Sequence, residues 1–221
     1  MVKLLRMDAS IRGRDSVTRA VADTFESAVT EANTGAEFVR RDLANDPIDA
    51  RTWALSAAAS QPLVPGTGQT TEEREAAATA VQIASQFEDA DAYLIAAPFY
   101  NFGVSQHVKT WTDVLMTDSR FSPGAQPPVS GRPAYVVTAR GGGYGPGTPM
   151  HGWDHGTDWL RRIFGDVLGL DVQLIETELT LAPVTPGMED LRDLAADNLA
   201  NAHQTAREHG RNLAERLRVA A

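Results

Sequence analysis

The sequence predicts an α/β fold, a parallel sheet with helices on both faces. Three observations carry that prediction. Five strand-like segments alternate with helix-periodic ones along the chain. The third of those strands, Tyr93-Leu-Ile-Ala-Ala97, is apolar without alternation, as a strand covered on both faces must be. No internal repeat and no clear linker divides the 221 residues, so one domain is expected over 1–221.

Each element has its own signal. Lys3–Asp8 reads as the first strand and Ala9–Asp15 as a polar loop. A helix begins near Ser16, with Val17, Val21, Phe25, Ala28 and Val29 on one face. Glu37–Asp42 is the second strand. Leu43–Thr70 is irregular and rich in Pro and Gly, with a short helix around Thr52–Ala59; loops of this length usually cover something or serve function. The next helix runs from Thr71, with acids in its first turn, to about Asp89. Pro98 ends the third strand, because it cannot donate a ladder hydrogen bond. An aromatic loop, Phe99-Tyr-Asn-Phe-Gly103, follows. Helical spacing resumes at Val108, Trp111 and Leu115. Thr117–Arg132 is a connection, and Ala134–Thr138 is the fourth strand. A glycine-rich loop from Ala139 to Gly147, a helix over Asp154–Leu168 and a strand over Val172–Leu181 come next. A long amphipathic helix over Glu189–Val219, interrupted near Gly210, closes the chain.

Composition excludes several functions. With no cysteine, disulfides, thiolate catalysis and Cys-ligated metals are excluded. A formal net charge of -9 argues against a general nucleic-acid or anionic-membrane binder. No apolar run approaches the ~20 residues of a membrane span, and the first residues lack the pattern of a secretory signal. A cytoplasmic location is therefore expected.

Three loops concentrate the chemistry, and ligands of open parallel sheets sit at the carboxyl ends of strands. Ser10, Ser16 and Thr18 bring hydroxyls to a helix start, where free N–H groups and the helix dipole favour phosphate. Capping by Asp15 or Ser16 accounts for part of that pattern and leaves Ser10 unexplained. Neither G-x-x-x-x-G-K-[ST] nor G-x-G-x-x-G stands there, which argues against NTP hydrolysis and a dinucleotide site. Phe99, Tyr100 and Phe102 offer faces to a flat ring, although aromatics after a strand are commonly core. The glycines at 141–143 let a ligand approach the backbone, although glycine runs are usually plain turns. His151 and His155 have i, i+4 spacing, but Gly152, Gly156 and Pro149 break the helix that a metal pair would need; no metal is expected. A G-x-S-x-G elbow is missing, so nothing supports a serine hydrolase.

Taken together, these loops resemble the FMN-dependent NADH-azoreductase family of flavodoxin-like NAD(P)H:quinone oxidoreductases. The matching residues are Ser10 with Ser16-Val17-Thr18, Ala96 to Phe102, and Thr138 to Gly142. Arg41-Asp42-Leu43 with Pro47-Ile48, and Leu160-Arg161 through Phe164-Gly165 to Gly169-Leu170, are similar to the family as well. Departures are Phe99 where the family often has Met, and Ala139 where it often has Ser. Arg12 is a looser match and is not counted.

The resemblance implies a flavodoxin-like three-layer sandwich with strand order 2-1-3-4-5. It implies that Ser10, Ser16, Val17 and Thr18 hold the FMN phosphate, and that Phe99, Tyr100, Asn101, Phe102, Ala139, Arg140, Gly141 and Gly142 hold the flavin ring, mostly through backbone groups. Phe121 is the candidate for an aromatic over the ring, and Tyr144 for a group at the acceptor. The implied reaction is a ping-pong two-electron hydride transfer from NADH or NADPH to a quinone or an aromatic azo compound. A homodimer is implied too, and Trp53, Leu55, Leu63 and Val64 are apolar residues free to form its interface. The alternative is an electron-carrying flavodoxin with no substrate of its own, against which stand the 43–70 section and the long terminal helix; a non-flavin binding protein is the third class.

Overall fold

The computed structural model describes residues 2–60 and 68–219. Its strands are β1 (Val2–Asp8), β2 (Ala36–Asp42), β3 (Ala92–Ala96), the short pair β4 (Phe99–Tyr100) and β5 (Gly103–Val104), then β6 (Pro133–Ala139) and β7 (Asp171–Thr177). Five of them form one sheet in the order β2-β1-β3-β6-β7. Every neighbouring pair in it is parallel. Counted along the sheet strands alone, this is the expected order 2-1-3-4-5, and the fold is flavodoxin-like.

The helices are α1 (Val17–Ala32), α2 (Ala50–Ser60), α3 (Thr71–Glu88), α4 (Gln106–Leu115), α5 (Thr157–Leu160) and α6 (Arg192–Val219). Alternation along the strands sorts them into two layers. Leu5, Met7, Tyr93, Ile95 and Val136 face α3, α4 and the helix that follows α5, where Phe87, Trp111 and Phe164 pack. Leu4, Leu94, Val137 and Ile175 face α1 and α6, where Phe25, Val29, Ala206 and Leu213 pack. Burying a side chain such as Leu94 or Phe25 stabilises the fold by about 1.5–3 kcal/mol. Thr70 and Glu73 close a capping box at the start of α3.

Four expectations need correction. β7 ends at Thr177, not Leu181: Leu179 takes φ 63, which no strand tolerates. The apolar alternation of Ile175, Leu179 and Leu181 mimics a longer strand. The helix expected over 154–168 is the single α turn α5 running into a π-helix over Arg161–Val167, in which Leu168 N–H donates to Ile163 C=O at 2.9 Å. Over two turns, apolar spacing does not separate that winding from an α-helix. α6 is uninterrupted at Gly210. A Cβ there would stand 2.7 Å from the Phe25 carbonyl oxygen and 2.9 Å from Ala28 Cβ, so this glycine lets α6 lie close on α1. The loop expected over 99–103 is the β4–β5 hairpin, with Asn101 and Phe102 at φ 48 and 66. Both central residues at positive φ give the turn whose twist suits a tight hairpin.

Candidate functional site

The strand ends put four loops at one level. Ladder bonds continue one residue past the strands: Ala9 N–H to Ala96 C=O at 3.0 Å, Ala97 N–H to Val137 C=O at 2.9 Å, and Arg140 N–H to Thr177 C=O at 2.9 Å. The loops that leave there enclose a cavity of about 430 Å3, within the range of small-molecule pockets.

One end of the cavity is polar. Ser16 caps α1, its hydroxyl accepting from Arg19 N–H at 3.2 Å, and lies 3.1 Å from the Thr18 hydroxyl. Ser10, Ser16 and Thr18 are all buried and line the cavity with Val17. The capping role and the cradle thus coexist. The N–H groups of Val17 and Thr18, in the first turn of α1, have no intrahelical acceptor and point the same way. Arg19 fixes the loop from behind: its guanidinium bonds the Ser10 carbonyl at 3.0 Å and both Asp42 oxygens at 2.7 and 2.8 Å. That pairing holds the Asp42 carboxyl down at about 2.

The other end is aromatic. Phe99, Tyr100, Asn101 and Phe102 line it from the hairpin, and Ala139, Gly141, Gly142 and Tyr144 from the glycine-rich loop. Phe102 pays for its left-handed backbone with about 1–3 kcal/mol of strain. It is held by His155 N–H, which donates to its carbonyl at 3.0 Å, and by Trp153, whose ring centroid is 5.3 Å away. The Tyr144 ring meets Phe99 edge-on at 5.0 Å, and its N–H donates to Glu178 Oε1 at 3.2 Å. Burial, with Asp154 nearby, raises the Tyr144 hydroxyl above its ordinary value, so it stays protonated. Gly141 packs closely: a Cβ there would lie 2.6 Å from Leu181 Cδ1, so the Leu181 side chain would have to shift.

Of the twelve residues expected to hold the cofactor, all but Arg140 line the cavity. Its N–H goes to Thr177 and its carbonyl accepts from Thr180 N–H at 3.1 Å, so its backbone is spent. Its side chain is buried among Asp154, Glu176 and Glu178 at 2.5, 2.9 and 3.2 Å, and these acids raise its pKa against the desolvation that would lower it. Phe121 is not at the cavity either; it is a core residue, edge-on to Phe87 at 5.6 Å. His151 and His155 lie outside helices, and among the described residues no group of three potential ligands gathers for a metal. Leu63 and Val64 lie outside the described residues, whereas Trp53 is 49% exposed.

The remaining lining comes from Arg12, Pro98, Met150 and the segment after β7, with Thr180, Leu181, Thr185 and Met188. Sequence reading missed that segment because Leu179 and Leu181 look like strand. Pro183 and the Pro186-Gly187 pair were the signal that a loop begins there.

Comparison with known proteins follows the same geometry. Residues 2–217 match the family described as flavodoxin-like fold. The chain is 34% identical to an FMN-dependent NADH:quinone oxidoreductase of Streptomyces avermitilis, over 98% of this chain and 99% of that one. It is 36% identical to an enzyme of the same description from Kineococcus radiotolerans, over 96% of this chain and 100% of the relative. Among solved structures, an FMN-dependent NADH-azoreductase from Bacillus anthracis in complex with FMN superposes with a TM-score of 0.77 at 24% identity, covering 97% of this chain and 100% of that one.

Proposed function

The chain belongs to the flavodoxin-like fold family, and from that premise we propose that it is an FMN-dependent oxidoreductase that takes hydride from NADH and reduces quinones or aromatic azo compounds. The observation that carries the reading is one cavity joining a hydroxyl-lined helix start to an aromatic hairpin and a glycine loop. The donor set fits FMN. A single anion cradle suits one terminal phosphate, and the flat apolar end suits a ring system.

Bound FMN supplies the hydride chemistry. The chain supplies the rest. Ser10, Ser16 and Thr18, with the first N–H groups of α1, would hold the phosphate as hydrogen-bond donors. Arg12 lines the mouth of that cradle as an exposed cation and adds charge. The β4–β5 hairpin with Ala139, Gly141 and Gly142 would exclude water from the ring and orient it, mostly through backbone groups such as that of Asn101. Tyr144, which lines the cavity and stays protonated through neutral pH, would donate a hydrogen bond to the acceptor's carbonyl or azo nitrogen. Donor and acceptor would stack on the same open side of the ring, so each would have to leave before the other enters.

Purified protein is expected to be yellow and to oxidise NADH with a quinone, giving parallel lines when both substrates are varied. A colourless protein that takes up no added FMN would refute the reading. Intersecting lines would remove the shared side and leave the cofactor in place.

A further inference from the structure

We propose that Tyr100 is a positioning residue whose hydroxyl makes Ser10 a committed hydrogen-bond donor to a terminal phosphate; this rests on the FMN reading above. The Ser10 hydroxyl lines the cavity and is buried with its residue only 2% exposed. Two protein groups reach its oxygen: Arg12 N–H at 3.3 Å and the Tyr100 hydroxyl at 3.2 Å. A serine hydroxyl has two acceptor lone pairs and one proton. If Tyr100 donates, both lone pairs are filled within the protein and the proton is left for the cavity.

The far end of the chain of bonds favours that direction. Ile11 N–H, which can only donate, reaches the Tyr100 oxygen at 3.3 Å. The phenol oxygen therefore already accepts, and the phenol, with an ordinary pKa of about 10, is a more acidic donor than an alkyl alcohol. Its proton goes to Ser10. The relay runs from Ile11 N–H through Tyr100 and Ser10 to the cavity, each bond polarising the next. Nor can the Ser10 backbone turn away, because Arg19 holds its carbonyl at 3.0 Å. Such a donor gains most from an anion. The Tyr100 hydroxyl thus favours a phosphate-bearing flavin over the same flavin ending in an alcohol. It also ties the hairpin to the cradle across 90 residues of sequence.

The test uses the full-length chain freed of flavin and titrated with FMN and with riboflavin, followed by flavin fluorescence. Tyr100→Phe is expected to weaken FMN about tenfold, the size of one hydrogen bond to a charged group, and to leave riboflavin unchanged. Ser10→Ala is expected to lower the FMN preference by at least as much. Adding Tyr100→Phe to Ser10→Ala should then cost nothing more, because the phenol acts through the serine. Equal weakening of both flavins by Tyr100→Phe would overturn the proposal, since a ring that merely supports the pocket does that. Full additivity of the two substitutions would overturn it as well. Should Tyr100→Phe not fold, Ser10→Ala alone decides: an unchanged FMN preference rules out the relay. An unaltered protein that binds neither flavin refutes the FMN reading itself, which the variant arms do not.

Discussion

Asp42 stands at the end of β2 and never touches the cavity, yet the cradle depends on it. Its carboxylate holds Arg19, and Arg19 holds the Ser10 carbonyl. The carboxyl is lowered from 3.8 to about 2, first by the Arg19 hydrogen bond. A depressed acid stabilises the fold fully above its unfolded value and loses that contribution as pH falls through the folded one. The clamp is therefore expected to persist to pH 3.8 and fail towards about 2. Release of FMN followed by fluorescence along an acid titration checks this, and Asp42→Asn should weaken FMN already at neutral pH. Tyr144 shifts the other way. Its hydroxyl is raised above its ordinary value, so any loss of quinone reduction through its ionisation should begin at higher pH than for a free phenol. Tyr144→Phe is expected to slow the quinone-dependent step about a hundredfold while the NADH-dependent step keeps its rate; stopped-flow separates the two. The hydroxyls of Ser16 and Thr18 were readable in the sequence because a strand-to-helix junction gives local meaning to such residues. Arg140 was not. Its direction is set by Asp154, Glu176 and Glu178, and no local pattern announces that these acids converge.

Helix α6 lies on α1 through a stretch where one glycine replaces a side chain. Gly210→Ala would gain up to about 1 kcal/mol in helix propensity. It would also push a methyl against the Phe25 carbonyl, which cannot move without α1, and overpacking of this kind costs about 1–3 kcal/mol. Urea unfolding is expected to show a net loss of stability, and a gain would mean that the two helices separate easily. The sequence suggested a break at this position because glycine weakens an isolated helix; packing, which is not local, keeps it whole. The β4–β5 hairpin escaped for a related reason. Asn-Phe is a poor signature for a turn with two positive φ angles, and its cost is met by Trp153 and His155 from a distant loop.

Periodicity made the strands readable and the resemblance implied their order, and β1, β3, β6 and β7 then place four loops at one edge. For assembly, the resemblance alone gives an expectation. Trp53 on α2 is half exposed, and Ile11, Phe102 and Trp153 are exposed apolar residues on or beside the cavity loops. We expect a homodimer that covers part of this surface. Sedimentation velocity at micromolar concentration checks it, and a fully active monomer would exclude it. The apolar stretch of Leu63 and Val64 lies outside the described residues and adds nothing either way.

The bond between Ser10 and Tyr100 spans 90 residues, and that between Arg140 and Thr180 spans 40. Timing follows from those separations. Closing loops of such length costs entropy before any contact repays it, so parallel pairings of this kind form slowly. The binding cavity is then among the last parts of the chain to exist during folding, and FMN has nothing to hold until the sheet is complete. Excess FMN should leave the refolding rate unchanged and slow unfolding, because it stabilises only what is absent from the transition state. Stopped-flow refolding and unfolding with and without FMN would show this, and faster refolding with FMN would mean that the cradle forms early.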